Sequence, residues 1–246
     1  MLLIQLSDFH CGSSETFLRD KLASAIKEVN HLNPDVVILS GDLTENGFKN
    51  EFEEAKRFID QIKCRRKIIT MGNHDAKHTG FLLFEDLFGL PAGAYSNKDY
   101  TIVYANTARP DKDEGRLGRD QIEIAVKAFE GAEDIPKIFV LHHHLIPVPD
   151  TGLEQAIVED AGDVLKAVSK IGVDLVISGH RHRPWIWRLN DTQFIFAGAV
   201  STRKLRGFFE NSYNVIKIDK REITPSLKIV GGPMISFEKV VSQSKK

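Results

Sequence analysis

Five short polar clusters carry the chemistry of this sequence: Asp8 with His10, Asp42, the run Asn73-His74-Asp75, the run His142-His143-His144, and His180-Arg181-His182. Of the nine histidines, seven fall within these clusters, a grouping that scattered surface histidines would not produce. Carboxylate, amide and imidazole donors without thiolate suit Mn, Fe, Zn or Co rather than Ca alone. They are more donors than one ion needs, and a pair of ions sharing one carboxylate would use them fully. Asp8 and His10 are separated by one residue, as are His180 and His182, so an extended backbone would aim each pair to one side. Gly41, Gly72 and Gly179 precede Asp42, Asn73 and His180, where a missing Cβ allows a sharp turn. In FVLHHHLIP (139–147), strand alternation separates His143 from its neighbours but does not choose between His142 and His144.

Each cluster alone has an ordinary explanation. Asp8 fits a turn or a helix cap, and SGD and GNHD fit turns. What outweighs these is the setting. Every cluster directly follows a short apolar run: LLIQL, VVIL, KIIT, IFVL and LVI. Such runs fit strands buried on both faces. In open α/β sheets functional groups gather beyond the carboxyl ends of the strands, so residues from Asp8 to His182 can converge on one rim.

The elements between the runs supply the scaffold. Leu18, Leu22, Ile26, Val29 and Leu32 recur at helical spacing, as do Phe48, Phe52, Ala55, Phe58 and Ile62. Further helices are expected over 121–129 and from about 160 to 171. The C-terminal third reads differently: WIWRL, QFIFAG, YNVIKI and EITPSLKIV predict antiparallel strands forming a second sheet. Two packed mixed sheets with helices outside, in one α/β domain over 1–246, are expected, with 241–246 a frayed tail. Apolar residues at 81–88 and 208–209 fit core or interface equally.

Lys and Arg total 33 against 34 Asp and Glu, a formal charge of −1. No basic stripe advertises nucleic acid or an anionic membrane. Two cysteines form no framework, which suits a reducing, cytoplasmic setting. The opening MLLIQL is too short to span a bilayer and no secretory pattern follows it.

Taken in order, Asp8-x-His10, Gly41-Asp42, Gly72-Asn73-His74-Asp75, a strand ending in His142 and Gly179-His180-x-His182 resemble the calcineurin-like metallophosphoesterase superfamily. GDLTENG, 115–129 and SYNVIKID are similar to its bacterial cyclic-nucleotide and glycerophosphodiester phosphodiesterase branch. The resemblance implies a four-layer αββα sandwich with the metal site at the carboxyl ends of the strands. It implies two divalent or transition metal ions (Mn, Fe, Zn, Co or Mg) and hydrolysis of a small phosphodiester or phosphomonoester by a bridging hydroxide. Asp8, His10, Asp42 and His182 would hold one ion, and Asp42, Asn73, His142 and His180 the other. His74 would stand near the scissile phosphate and assist the leaving group. Asp75, His143 and Arg181 would support these ligands or touch substrate, Asp75 by orienting an imidazole. His144 stands where many relatives have proline, and Asn106 where many have aspartate. Segments 106–118 and 145–151 are candidate substrate rims. The rival functions are a nuclease of the same superfamily, for which a basic face is missing, and a non-catalytic interaction module, which would not require the full ligand set.

Overall fold

The computed structural model describes residues 1–152 and 157–243. In chain order the elements are β1 (Leu2–Leu6), α1 (Arg19–Leu32), β2 (Val36–Leu39), α2 (Lys49–Ile59), β3 (Lys67–Ile69), α3 (Gly80–Phe88), β4 (Gly93–Ser96) and β5 (Thr101–Tyr104). Then come α4 (Arg119–Ala128), β6 (Lys137–Val140), α5 (Ala161–Ile171), β7 (Leu175–Ser178), β8 (Trp185–Leu189), β9 (Thr192–Phe196), β10 (Ser212–Asp219), β11 (Glu222–Ile229), β12 (Met234–Ser236) and α6 (Phe237–Gln243).

Two mixed six-stranded sheets result, with orders β12-β11-β10-β1-β2-β3 and β4-β5-β6-β7-β9-β8. Strand alternation divides the apolar residues among three layers of core. Leu3, Val36, Ile38 and Ile216 face Ile102, Ile138, Leu175 and Ile195 between the sheets. Ile4, Leu6, Val37 and Leu39 point the other way, onto Leu22, Ile26 and Val29 of α1 and Phe52, Ala55 and Phe58 of α2. Val103, Phe139 and Val176 back onto Ala125 of α4 and Val164 and Val168 of α5. The architecture is therefore the expected helix–sheet–sheet–helix sandwich.

One expectation needs correction. The C-terminal strands do not build a sheet of their own. β8 and β9 close the edge of one sheet, where β9 runs parallel to β7. β10 to β12 extend the other, with β10 antiparallel to β1. Alternation and short turns specify the hairpins β8–β9 and β10–β11, but contain nothing about which edge each hairpin joins. The expected tail also divides: residues 241–243 belong to α6, and 244–246 lie outside the described residues.

α3 escaped the helical pattern because GFLLFEDLF is apolar on most faces. Phe84 is buried against Phe52 and Phe88, whereas Leu82 is 52% exposed. Phe208 is likewise buried while Phe209 is 77% exposed, so neither segment is purely core.

Candidate metal centre

All five clusters emerge at the same end of the two sheets, but by a route the sequence pattern did not show. The segment after β1 runs beside the segment after β2: Asp8 N donates to Gly41 O at 3.1 Å, His10 N to Asp42 O at 3.0 Å and Cys11 N to Leu43 O at 2.9 Å. Neither Asp8 nor His10 is extended. Asp8 (φ 57°), His10 (φ 50°), Asp42 (φ 53°), His180 (φ 72°) and His182 (φ 53°) all occupy the left-handed region. A non-glycine residue there costs on the order of 1–3 kcal/mol, and such strain concentrates where side chains must be aimed. Gly72 shows why the turns are tight: a Cβ there would overlap the carboxylate and backbone nitrogen of Asp42.

Asp8, His10, Asp42 and His182 each place a donor atom within 4.8 Å of the others, and all four are buried. His182 Nε2 lies 3.3 Å from Asp8 Oδ1 and 2.9 Å from His10 Nε2. A second group adjoins the first through Asp42, whose Oδ2 is 3.4 Å from His142 Nε2. Asn73 Oδ1 lies 3.1 Å from His142 Nε2 and 3.0 Å from His180 Nδ1. Asn73 Nδ2 donates to Asp113 Oδ1 at 3.2 Å, which fixes the amide with its oxygen toward the two imidazoles. His180 Nε2 is buried without a hydrogen-bond partner.

The tautomers decide whether this donor set fits a cation. His142 Nδ1 donates to Ser40 O at 2.7 Å, so in a neutral ring the Nε2 lone pair faces the oxygens of Asp42 and Asn73. His182 Nδ1 donates to Lys204 O, and its Nε2 lone pair faces Asp8 Oδ1 and His10 Nε2. Lone pairs turned on lone pairs repel unless a cation or a proton sits among them. Backbone carbonyls that fix the outer nitrogen of an imidazole are the usual support of metal-binding histidines. The residues present therefore fit bound metal.

The charges are strongly coupled. Burial opposes charge on His142, but the Asp42 carboxylate and then Asp8 outweigh it and hold its pKa at about 9. Burial raises Asp42, yet His142, His74 and His10 together keep it well below the usual carboxylate range. For His10 burial dominates over the Glu45 carboxylate and lowers the pKa to about 4. Burial, followed by neighbouring imidazoles, pushes His180 and His143 well down.

The remaining expected residues fall around this core. His74 lines the cleft: its backbone N–H donates to Asp42 Oδ1 at 2.9 Å, and its Nδ1 meets Glu45 O at 2.6 Å. Asp75 does not orient an imidazole. It accepts from Thr44 N, Thr44 Oγ1 and Gly72 N, each at 2.9 Å, and so staples the segments after β2 and β3 together. Burial and then Asp42 raise its pKa to about 6 against those donors.

His143 has both nitrogens engaged, Nδ1 with Thr107 Oγ1 at 2.8 Å and Nε2 with Asp113 O at 3.0 Å. His144, at the position where many relatives have proline, is fully buried and its ring stacks on His180. Arg181 donates to Thr151 O at 2.6 Å and Thr151 Oγ1 at 2.9 Å, while Arg183 pairs with Asp150 at 3.2 Å. Asn106 shapes a turn, accepting from Ala108 N at 3.0 Å.

The centre opens into a cleft of about 550 Å³ lined by Asp113, Glu114 and Thr151 from the two expected rims. A third wall was missed, formed by Lys204 and Arg206 from the segment between β9 and β10. Glu45 was missed as well. Its side chain lies 3.1 Å from His10 Nδ1 and pairs with Lys204, and its backbone oxygen receives His74. Burial raises Glu45, but His10 and Lys204 outweigh it and bring the pKa to about 2. The acidic residue in GDLTENG was the available signal for Glu45. RKLRG carries nothing that distinguishes it from a solvated basic loop.

Among solved structures, purple acid phosphatase PPD1 of yellow lupin matches with a TM-score of 0.74 at 15% identity, over 98% of this chain and 55% of that one. A dimetal phosphatase from Danio rerio matches with a TM-score of 0.67 at 13% identity, over 96% of this chain and 99% of that one. At these identities the likeness is one of fold. A probable cyclic nucleotide phosphodiesterase of Synechococcus sp. is 26% identical over 184 residues, covering 74% of this chain and 71% of that protein. The calcineurin-like phosphoesterase family model matches residues 1–184, the span that holds all five clusters, and the chain belongs to that family.

Proposed function

We propose that this phosphoesterase hydrolyses small phosphodiesters, and phosphomonoesters less readily, at a centre of two divalent cations. The observation that carries the reading is the shared carboxylate. Asp42 belongs to the cluster with Asp8, His10 and His182 and also lies 3.4 Å from His142, whose neighbours are Asn73 and His180. In this reading Asp8, His10, Asp42 and His182 hold one ion, and Asp42, Asn73, His142 and His180 hold the other. When bound, such a pair supplies Lewis-acid polarisation of phosphate and a water acidified toward neutral pKa. Support for two ions comes from the donor count and from the fold shared with a protein described as a dimetal phosphatase. Support for a diester comes from the relative named as a probable cyclic nucleotide phosphodiesterase.

The chain's own groups do the rest. His74 Nδ1 lies against Glu45 O and Lys77 Nζ, which leaves Nε2 for a substrate oxygen; carrying a proton there, the ring would give it to the departing alkoxide. Asp75 holds the two loops that carry Asp42 and His74. His143 and His144 support Asn73 and His180 from behind rather than binding metal, His143 through Asp113.

We read the described residues as one domain, supported by β10 to β12, which extend the sheet that holds β1. No helix among the described residues is long and apolar enough to cross a membrane. Two buried free cysteines, Cys11 and Cys64, favour a cytoplasmic setting.

The test is a single panel: aryl diester, aryl monoester, cyclic nucleotides and glycerophosphodiesters with added Mn²⁺, after elemental analysis of the protein as isolated. Turnover of diesters ahead of monoesters supports the reading. Turnover of none of them, in protein that carries metal, contradicts it.

A further inference from the structure

Lys204 lies in the segment between β9 and β10, and its backbone surroundings are tied down from several sides. Leu18 N donates to Ser201 O at 2.8 Å, Arg203 N to Thr16 O at 2.8 Å, Ser201 Oγ to Phe9 O at 2.9 Å and Asn211 Nδ2 to Thr202 O at 2.8 Å. The carbonyl of Lys204 receives His182 Nδ1–H. The side chain is placed differently. It is 40% exposed, it lines the cleft with Asp42, His74 and His182, and its ammonium rests on the Glu45 carboxylate. Asp113, beside Asn73, and Glu114 also line the cleft. The ammonium near His182 is thus paired with Glu45, and a carboxylate stands beside Asn73.

We propose that Lys204 leaves Glu45 for an anionic oxygen of the bound phosphate, and that it thereby sets how far monoesters compete with diesters. This rests on the phosphoesterase reading of the same site. A phosphomonoester dianion has three anionic non-bridging oxygens. In a diester the third position is an alkoxy oxygen, uncharged and followed by carbon. An ammonium at the edge of the centre gains a charge-assisted hydrogen bond from the first and little from the second. Glu45 holds the ammonium at the cleft, and the fixed backbone under Lys204 keeps it in reach.

Lys204→Met tests this directly. It removes the ammonium, keeps most of the stem and leaves the carbonyl that holds His182. Lys204→Arg restores charge. The probes are an aryl monoester and an aryl diester with the same leaving phenol, plus inorganic phosphate followed by calorimetry. Lys204→Met should lower kcat/KM for the monoester about 10- to 100-fold, the size of one charge-assisted hydrogen bond. The diester should lose less than about threefold on the same scale, phosphate should bind at least about tenfold more weakly, and bound metal should not change. Lys204→Arg should recover most of both losses.

Equal losses on the two esters, unchanged phosphate affinity, loss of metal from Lys204→Met, or a wild-type protein that binds no phosphate each overturn the proposal. A wild-type protein that turns over neither ester counts against the phosphoesterase reading instead, and phosphate binding alone then decides the role of Lys204.

Discussion

Asp42 Oδ2 stands 3.4 Å from His142 Nε2, while Oδ1 of the same carboxylate accepts the His74 backbone N–H at 2.9 Å. One side chain thereby links both imidazole groups and the loop of the candidate acid. Asp42→Asn keeps the shape but removes the negative charge, leaving one neutral carbonyl oxygen and an NH2 donor in its place. Its expected effect is loss of bound metal and a fall in turnover of about 10³-fold or more, since metal stabilisation of the transition state is worth several kcal/mol. Elemental analysis and an aryl diester assay on the variant check both.

His74→Ala should behave in the opposite way toward metal. No metal-donor role is given to this ring, so metal content should match wild type while turnover falls about 10²- to 10⁴-fold, the usual contribution of a positioned acid or base. The fall should shrink for a leaving group as acidic as nitrophenol, which departs without a proton. A series of diesters graded by leaving-group pKa reads this out.

The three consecutive histidines should separate in order of their contacts. His142→Ala removes a nitrogen facing Asp42 and Asn73, and metal should be lost. His143→Ala breaks the bonds to Thr107 Oγ1 and Asp113 O, leaving metal bound but weakened by about 10- to 100-fold, as for outer supports of ligands. His144→Ala removes the ring stacked on His180 and should act through a smaller loss of affinity. Metal loss from His144→Ala but not from His142→Ala would reverse the assignment.

The position of these strands and clusters was legible because each apolar run ends in chemistry. The left-handed turns were not. Alternation assumes extended backbone, whereas Asp8, His10, His180 and His182 all have positive φ. Periodicity also misses a helix that is apolar on most faces, which hid α3, and cannot assign a hairpin to an edge, which misplaced the strands from β8 to β11. Glu45 and Lys204 act through contacts with His10, His74 and His182 that are distant in sequence, and no local pattern encodes them.

Metal binding should release protons. Without metal, His142 has its pKa raised to about 9, so the ring is protonated at pH 7.5 and must lose that proton to coordinate. Because the raised pKa favours the charged ring below about 9, affinity should climb as pH rises toward 9, by at most about tenfold per unit for this one proton, and level off above it. Calorimetric titration of metal-free protein in buffers of different ionisation enthalpy counts the protons. No release at pH 7.5 would place the ring neutral before metal arrives.

The most direct test of the metal centre is elemental analysis of the purified protein alongside turnover of an aryl diester, before and after chelation and after re-addition of Mn²⁺. Two ions per chain, activity lost with them and activity restored on re-addition are expected. Full turnover in protein stripped of metal would contradict it.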